Sequence, residues 1–308
     1  MITDKKVGVL MGGTSSEREI SLRSGMAIYN AFKEMGYNSV SIDAGKDVAD
    51  DIKREKIDVA FIALHGGCGE NGAIQGLLEI MGILYTGSGI LASALAMDKI
   101  SSRRIFEQQG LKVPRYVVIE RGISDFRPQI SDLRLPLVIK PSSEGSSIGV
   151  NIINKMEELK EAVGNAFCYG EKVIIEEFID GKEIHVGILN NKALGAIEVR
   201  PKKGFYSYEA KYTPGLTDYI YPPALSNKEY KDSLELALKS HISLGCDGAT
   251  RVDLKVNREG IPYILEVNTL PGMTATSLLP KIAQGVGIGF NDLLEKILEL
   301  ALKRVIKV

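Results

Sequence analysis

The sequence predicts an α/β fold that opens on a parallel, doubly wound sheet and closes on an antiparallel hairpin. Short apolar runs alternate with amphipathic helical segments over residues 6–85, the order that lays helices between parallel strands. Near the other end, Val252, Leu254 and Val256 alternate with polar neighbours, a turn follows at 257–260, and Tyr263, Leu265 and Val267 alternate in the same way. Period two on both arms marks half-buried strands. The 308 residues, 44% hydrophobic and 25% charged, suit a globular chain of two or three domains.

Taken in order, a strand at 6–11 runs into Gly12-Gly13-Thr14-Ser15-Ser16 and then a helix with Ile20, Ala27, Ile28, Ala31 and Met35 on one side. Strands at 39–42, 58–64 and 83–85 alternate with helices at 47–56 and 73–81. Ligands of such sheets sit beyond the carboxyl ends of the strands, where Gly12, Gly13 and His65 fall. The glycine turn lacks the third glycine of a dinucleotide motif and the chain has no Walker A match. Glu17 stands in the first helical turn, where it would repel a phosphate and suits a cationic ligand. A capping box at Ser16 and Glu19, or at Thr14 and Glu17, is the structural alternative. His65, followed by two glycines, reads as a loop residue or a ligand residue.

A helix over 91–109 carries Asp98-Lys99, and Pro114 marks a boundary. The buried-type strand 135–140 ends in Lys140 and leads into the small-residue loop 141–149, a plain hairpin loop or a flap whose N–H groups cover phosphates. After a helix at 156–166, the β-branched strand 172–179 ends in charges suited to a nucleoside or to solvent. Strands follow at 184–189 and 193–199. Residues 203–223, rich in Tyr, Gly and Pro, read as one long lid or binding loop, with disorder as the alternative. Helices at 227–244 and 290–306 flank the hairpin.

The polar face of that hairpin carries Arg251, Asp253, Glu266 and Asn268. Carboxylates on opposite strands, about 5 Å apart, need a cation between them. Arg251 on a solvated face would serve, and so would a divalent metal. With oxygen donors only, magnesium or manganese fits better than zinc.

A net charge of −1 without a long Lys/Arg block argues against nucleic-acid or anionic-membrane partners. No apolar run approaches the ~18 residues of a membrane span, so a cytoplasmic location is expected. Cys68, Cys168 and Cys246 show no metal or redox spacing and read as packing residues.

Together these motifs resemble one family over nearly the whole chain, the D-alanine–D-alanine ligases of the ATP-grasp superfamily. The resemblance rests on Gly12-Gly13-Thr14-Ser15-Ser16-Glu17-Arg18-Glu19, Leu64-His65-Gly66, Met97-Asp98-Lys99, the run from Lys140 to Ser147, Glu209-Ala210-Lys211-Tyr212, and the run from Glu266 to Thr274. It implies a Rossmann-like domain at 1–96 and a two-lobed α+β ATP-grasp fold at 97–181 and 182–308. ATP would be held by Lys99, Lys140 and Lys211 on its phosphates, by Glu176, Phe178 and Ile179 around adenine, and by Glu183 on ribose. Asp253, Glu266 and Asn268 would bind two magnesium (or manganese) ions. Glu17 would take the ammonium of the first D-alanine, with Ser146 and Tyr212 completing a hydrogen-bonded trio. Ser277 and the Leu278 backbone would take the carboxylate of the second D-alanine, with His65 also in the substrate site. Arg251 and the Gly272 N–H would stabilise the oxyanion. The implied reaction runs through D-alanyl phosphate to D-alanyl-D-alanine for peptidoglycan, in a homodimer. A D-alanine–D-lactate ligase, another carboxylate–amine ligase and a non-catalytic nucleotide-binding module are the alternatives.

Overall fold

The computed structural model describes residues 4–123, 125, 128–202, 204, 206, 208–213, 215–274 and 276–305, with the side chains of 208 and 212 outside the described set. Strands β1 (Val7–Met11), β2 (Ser39–Asp43), β3 (Val59–Ile62) and β4 (Leu84–Tyr85) alternate with helices α1 (Arg18–Glu34), α2 (Val48–Glu55) and α3 (Ala73–Ile80). The strands pair in parallel in the order β2-β1-β3-β4. Every residue of β1 and β3 is buried, as a parallel sheet covered on both faces requires. Helix α1 lies so close to β1 that a Cβ on Gly25 would stand 2.3 Å from the Met11 Cβ. Neither expected capping box forms, for Glu17 occupies the N-cap position of α1 without a side-chain bond to the helix. Its carboxylate is turned elsewhere.

The single helix expected over 91–109 is two helices, α4 (Ile90–Met97) and α5 (Lys99–Gln108). Between them Asp98 is extended and accepts the Ser101 N–H at 2.7 Å, an N-cap that restarts the helix at Lys99. A second sheet follows, made by β5 (Tyr116–Glu120), β6 (Leu137–Pro141), β7 (Asn151–Ile153) and, after helix α6 (Leu159–Ala166), β8 (Lys172–Glu177). It is antiparallel in the order β5-β8-β6-β7.

The third sheet is antiparallel, ordered β11-β10-β9-β12-β13. Its elements run β9 (Gly181–Leu189), β10 (Lys192–Pro201), α7 (Tyr208–Tyr212), β11 (Thr217–Ile220), α8 (Asn227–Ser243), β12 (Ala249–Asn257) and β13 (Pro262–Asn268). The supposedly structureless 203–223 segment thus contains a helix and a strand that pairs with β10, while residues 203, 205, 207 and 214 lie outside the described set. Ser226 and Glu229 form the capping box of α8.

The hairpin forms as expected, with one correction. A register shift after Asp253 sets Asp253 opposite Glu266 and Leu254 opposite Ile264, leaving Leu265 as the extra residue of a bulge. Ile264 and Val267 therefore enter the core with Val252, Leu254 and Val256, while Leu265 is only half-buried. Two further helices, α9 (Leu278–Gly285) and α10 (Phe290–Leu302), end the chain; no sequence expectation covered α9. Leu293, Leu294, Ile297 and Leu298 of α10 pack into the core formed by Val7, Val9, Ile28 and Phe32, which ties the end of the chain to its first sheet. Of the three cysteines only Cys246 is buried; Cys68 and Cys168 are exposed and do not serve packing.

Candidate active site

A cleft between the second and third sheets gathers Lys99, Lys140, Glu176, Phe178, Ile179, Glu183 and Lys211, all seven residues expected to hold a nucleotide, together with Asp253 and Glu266. The α5 cap puts Lys99 at a helix start, where its Nζ donates to the Glu144 carbonyl at 2.5 Å and stands 3.3 Å from Glu266. Lys140, near the end of β6, lies 2.7 Å from Glu176. Burial pushes its ammonium down to about 8 against the attraction of Glu176. Glu176 does not extend freely into the cleft, since its other carboxylate oxygen forms an ion pair with Arg103. The half-buried Phe178 and Ile179 sit in the link from β8 to β9 and supply apolar wall. On β9, Glu183 is 3.2 Å from Lys255; burial raises its pKa, but bonding to His185 and the charge of Lys255 hold it below the ordinary glutamate range.

A second cavity adjoins the first, sharing Lys99, Tyr206, Lys211 and Glu266 in its wall. It brings together Glu17, His65, Ser146, Arg251, Asn268, Gly272, Ser277 and Leu278. Glu17 is buried and accepts a hydrogen bond from the Ser146 hydroxyl, which belongs to the loop after β6. Ser146 and Ser147 both have positive φ, a strained conformation that aims the loop at Glu17. A Cβ at Gly66 would come within 2.8 Å of the Glu17 carboxylate, so glycine there is what lets the two loops meet. His65 bonds Ser24 at 3.1 Å; burial lowers it to about 4, with the nearby Arg251 charge adding to the effect, and it is neutral at pH 7. Ser277 occupies the N-cap position of α9 with its Oγ 2.9 Å from the Thr274 N–H, and Leu278 begins the helix. A helix start of this kind suits a carboxylate. The Tyr212 side chain lies outside the described residues; its backbone ends α7.

On the hairpin, Asp253 faces Glu266 and Arg251 faces Asn268 across the strand pair. Arg251 grips Asp253 through two bonds of 2.7 and 2.8 Å, and the His185 Nδ1 lies 2.7 Å from the same carboxylate. Burial favours the neutral acid, but Arg251 and His185 together hold Asp253 far below the usual range. Glu266, likewise opposed by burial, is lowered by the Lys99 charge. Among the described residues no three His, Cys, Asp or Glu side chains converge as a ready-made metal cage. Two opposed carboxylates and the Asn268 amide form a partial oxygen set, as suits an ion that shares its coordination with phosphate and water.

Three participants escaped the sequence reading. Glu70 lines the second cavity, and burial, reinforced by the Glu17 charge, raises it to about 8, so it holds a proton at pH 7. Its only clue is a lone acid in a glycine loop. His185 is buried between Asp253 and Glu183, its Nε2 3.5 Å from the latter. Arg103 is fully buried behind Glu176. The last two lie on a strand and a helix with nothing in their spacing to single them out.

A lysine-lined cleft between two α+β lobes, joined to a cavity bearing Glu17 and Arg251, defines an ATP-dependent carboxylate–amine ligase of the ATP-grasp kind. The family model for the D-ala D-ala ligase C-terminus matches residues 105–299, and that for the N-terminus matches residues 44–88. The chain belongs to the D-alanine–D-alanine ligase family. It is 53% identical over 301 residues to the D-alanine–D-alanine ligase of Geotalea uraniireducens, covering 98% of this chain and 97% of that one. The ligase of Geobacter sulfurreducens is 51% identical over 294 residues, 95% and 93% of the two chains. Among solved structures, the Bacillus anthracis D-alanine–D-alanine ligase complexed with ATP superposes with a TM-score of 0.86 at 34% identity, over 97% of this chain and 98% of that one. A D-Ala:D-Ser ligase from Enterococcus faecalis gives 0.84 at 29% identity, over 96% and 99%.

Proposed function

We propose that the chain joins two D-alanines into D-alanyl-D-alanine for peptidoglycan synthesis, with ATP converted to ADP and phosphate. The observation that carries the reading is the continuity of the two cavities through Lys99, Lys211 and Glu266. A carboxylate lying in the Glu17 cavity can thus meet a phosphoryl group lying in the cleft. Joining a carboxylate to an amine in water is uphill, so the first D-alanine is activated as an acyl phosphate. Lys99 and Lys140 hold the phosphates of ATP and Lys211 the transferred phosphate, a transfer that needs charge neutralisation and alignment above all. Glu17 takes the ammonium of the first D-alanine, and Ser277 with the Leu278 N–H takes the carboxylate of the second. Arg251 and the Gly272 N–H stabilise the oxyanion built when the second amine attacks, a contribution of a few kcal/mol. Phe178, Ile179 and the β8 end enclose adenine, and Glu183 accepts from ribose. Asp253, Glu266 and Asn268 hold two magnesium or manganese ions, which when bound offset the phosphate charge. Tyr212 joins Glu17 and Ser146 in selecting an amine nucleophile.

The three sheets support a division into 1–96, 97–181 and 182–308. No helix among the described residues is long and apolar enough to cross a membrane, which agrees with a cytoplasmic enzyme. A homodimer is the assembly that the family resemblance implies.

The deciding experiment supplies D-alanine, ATP and magnesium and identifies the product by mass spectrometry alongside phosphate release. D-alanyl-D-alanine with stoichiometric phosphate is expected. The D-Ala:D-Ser relative motivates a second reading in which the acceptor is D-serine. Mixed acceptors separate the two, because a product dominated by D-alanyl-D-serine or D-alanyl-D-lactate at equal concentrations overturns the first.

A further inference from the structure

Lys140, Glu176 and Arg103 form a chain of charges in which every side chain is at least nine-tenths buried, with exposures of 9%, 3% and 1%. Lys140 takes one carboxylate oxygen of Glu176 at 2.7 Å, and Arg103 takes the other. Beyond this contact the Arg103 guanidinium lies 5.0 Å over the Tyr116 ring; among the described residues none of its three nitrogens, nor the Glu176 Oε2, makes a hydrogen bond of regular geometry, so Arg103 meets Glu176 as an ion pair. Among the described residues Glu176 is the anion that Arg103 pairs with. Such an arrangement is expensive: buried ion pairs seldom repay their desolvation, and an apolar side chain would serve packing as well.

The geometry explains what Arg103 gains. Without it, Glu176 would offer both oxygens to Lys140, and the pair would carry no net charge toward the cleft. With Arg103 in place the triple carries a net positive charge, and Lys140 is bonded on one side only. An ammonium has three donors, so the remaining two are left for the cleft that Lys140 lines. Burial and the adjacent cations Arg103 and Lys99 also make this ammonium hungry for an anion.

We propose that Arg103 is a positioning residue for the nucleotide, restraining Glu176 so that Lys140 presents its ammonium to the phosphates. The inference rests on the reading of Lys140 as a phosphate ligand, and its test separates the two. Binding of magnesium–ADP is measured by titration calorimetry for the native protein, Arg103→Met, Arg103→Gln, Arg103→Lys and Lys140→Met, with KM for ATP and for D-alanine beside it.

Arg103→Met weakens magnesium–ADP about tenfold or more, the loss expected when one member of a buried charged network is removed. KM for ATP rises in step, while KM for D-alanine stays within about twofold, a difference well under one interaction's worth. Arg103→Lys restores the charge and recovers most of the affinity. Arg103→Gln keeps a neutral donor and does not, which preserves the test if Arg103→Met fails to fold. A purely structural Arg103 would lower the melting temperature of its variants and leave nucleotide affinity unchanged; that outcome, with Lys140→Met weakened, overturns the proposal alone. Unchanged affinity in Lys140→Met overturns the phosphate reading and the proposal with it.

Discussion

The Glu17 carboxylate at the head of the first helix accepts a hydrogen bond from the Ser146 hydroxyl in the loop after β6, across 129 positions of sequence. Glu17 is anchored by the amino-terminal sheet, whereas Ser146 rides on the second sheet. The bond therefore latches the helix packed on the first sheet to the loop that would cover the nucleotide. Glu17→Gln keeps size and a hydrogen-bond acceptor but removes the charge proposed to pair with the ammonium of the first D-alanine. It is expected to raise KM for the first D-alanine by about tenfold or more, with nucleotide binding within about threefold of native, on the usual worth of a charge-assisted bond. Initial rates at varied D-alanine, with calorimetry for magnesium–ADP, check this. An equal loss of both would mean that Glu17 supports only the latch.

Glu266→Gln tests the hairpin. If Asp253 and Glu266 merely face each other across the sheet, neutralising one relieves repulsion, stabilises the pair and leaves turnover unchanged. If they hold divalent ions, the amide lowers manganese affinity by about tenfold or more and abolishes ligation. Manganese binding followed by electron paramagnetic resonance on the nucleotide-bound protein separates the outcomes without relying on activity.

Glu70 gives a pH signature. Burial, reinforced by the Glu17 charge, raises its folded pKa from the usual glutamate value to about 8. Between roughly pH 4.5 and 8 the folded state keeps a proton that the unfolded chain has released, so this group lowers stability as pH rises through that window. The cost is absent below the window and complete above it. Glu70→Gln removes the group, so its melting temperature relative to native protein should be distinctly higher at pH 8.5 than at pH 5. A difference that does not change with pH would show that Glu70 is ionised in the folded protein.

The parts of the site legible in sequence were those whose chemistry follows a short-range rule. Asp253 and Glu266 stood out because period-two strands put them on one face, and the register pairs them directly. Leu265 misled because a one-residue bulge shifts the alternation, so that Ile264 takes the core side in its place while Glu266, Val267 and Asn268 face as expected. Asp98 hid a helix restart inside an apolar run, since a cap is recognised only once the chain turns at it. The roles of Arg103 and Glu70 come from partners distant in sequence, Glu176 and Glu17, and no local spacing encodes those. The broad fold was legible because alternating strands and helices leave few ways to cover both faces of a sheet.

Asp98→Ala tests the restart. Losing the cap on the Ser101 N–H costs about 1 kcal/mol of stability. Because Lys99 is the first residue of the same helix, KM for ATP should rise together with the fall in stability. Repairing the cap as Asp98→Ser should return both. Thermal melts and ATP kinetics on the two variants check this, and a rise in KM that Ser does not reverse would argue against the cap.

Gly272 combines a steric demand with a chemical one. A Cβ there would sit 2.8 Å from the Ser277 Oγ, 3.6 Å from the Ser277 Cβ and 3.9 Å from the His65 Nε2. The first contact cannot persist, so in Gly272→Ala the Ser277 hydroxyl must turn away. That hydroxyl bonds the Thr274 N–H at 2.9 Å and Thr274 Oγ1 at 2.8 Å, so the loop leading into α9 loses its restraint. Gly272→Ala is expected to raise KM for the second D-alanine by about tenfold or more and to lower kcat, as the N–H assigned to the oxyanion moves with the loop. Affinity for magnesium–ADP should stay near native, because the nucleotide cleft does not include Gly272. Adding Ser277→Ala removes the clashing oxygen. If space alone matters, the double variant regains stability and activity. If the Ser277 hydroxyl also binds the carboxylate of the second D-alanine, stability returns while KM stays high. Melting temperatures and acceptor KM for both single variants and the double variant distinguish these cases, and full recovery of KM in the double variant would remove Ser277 from the acceptor site.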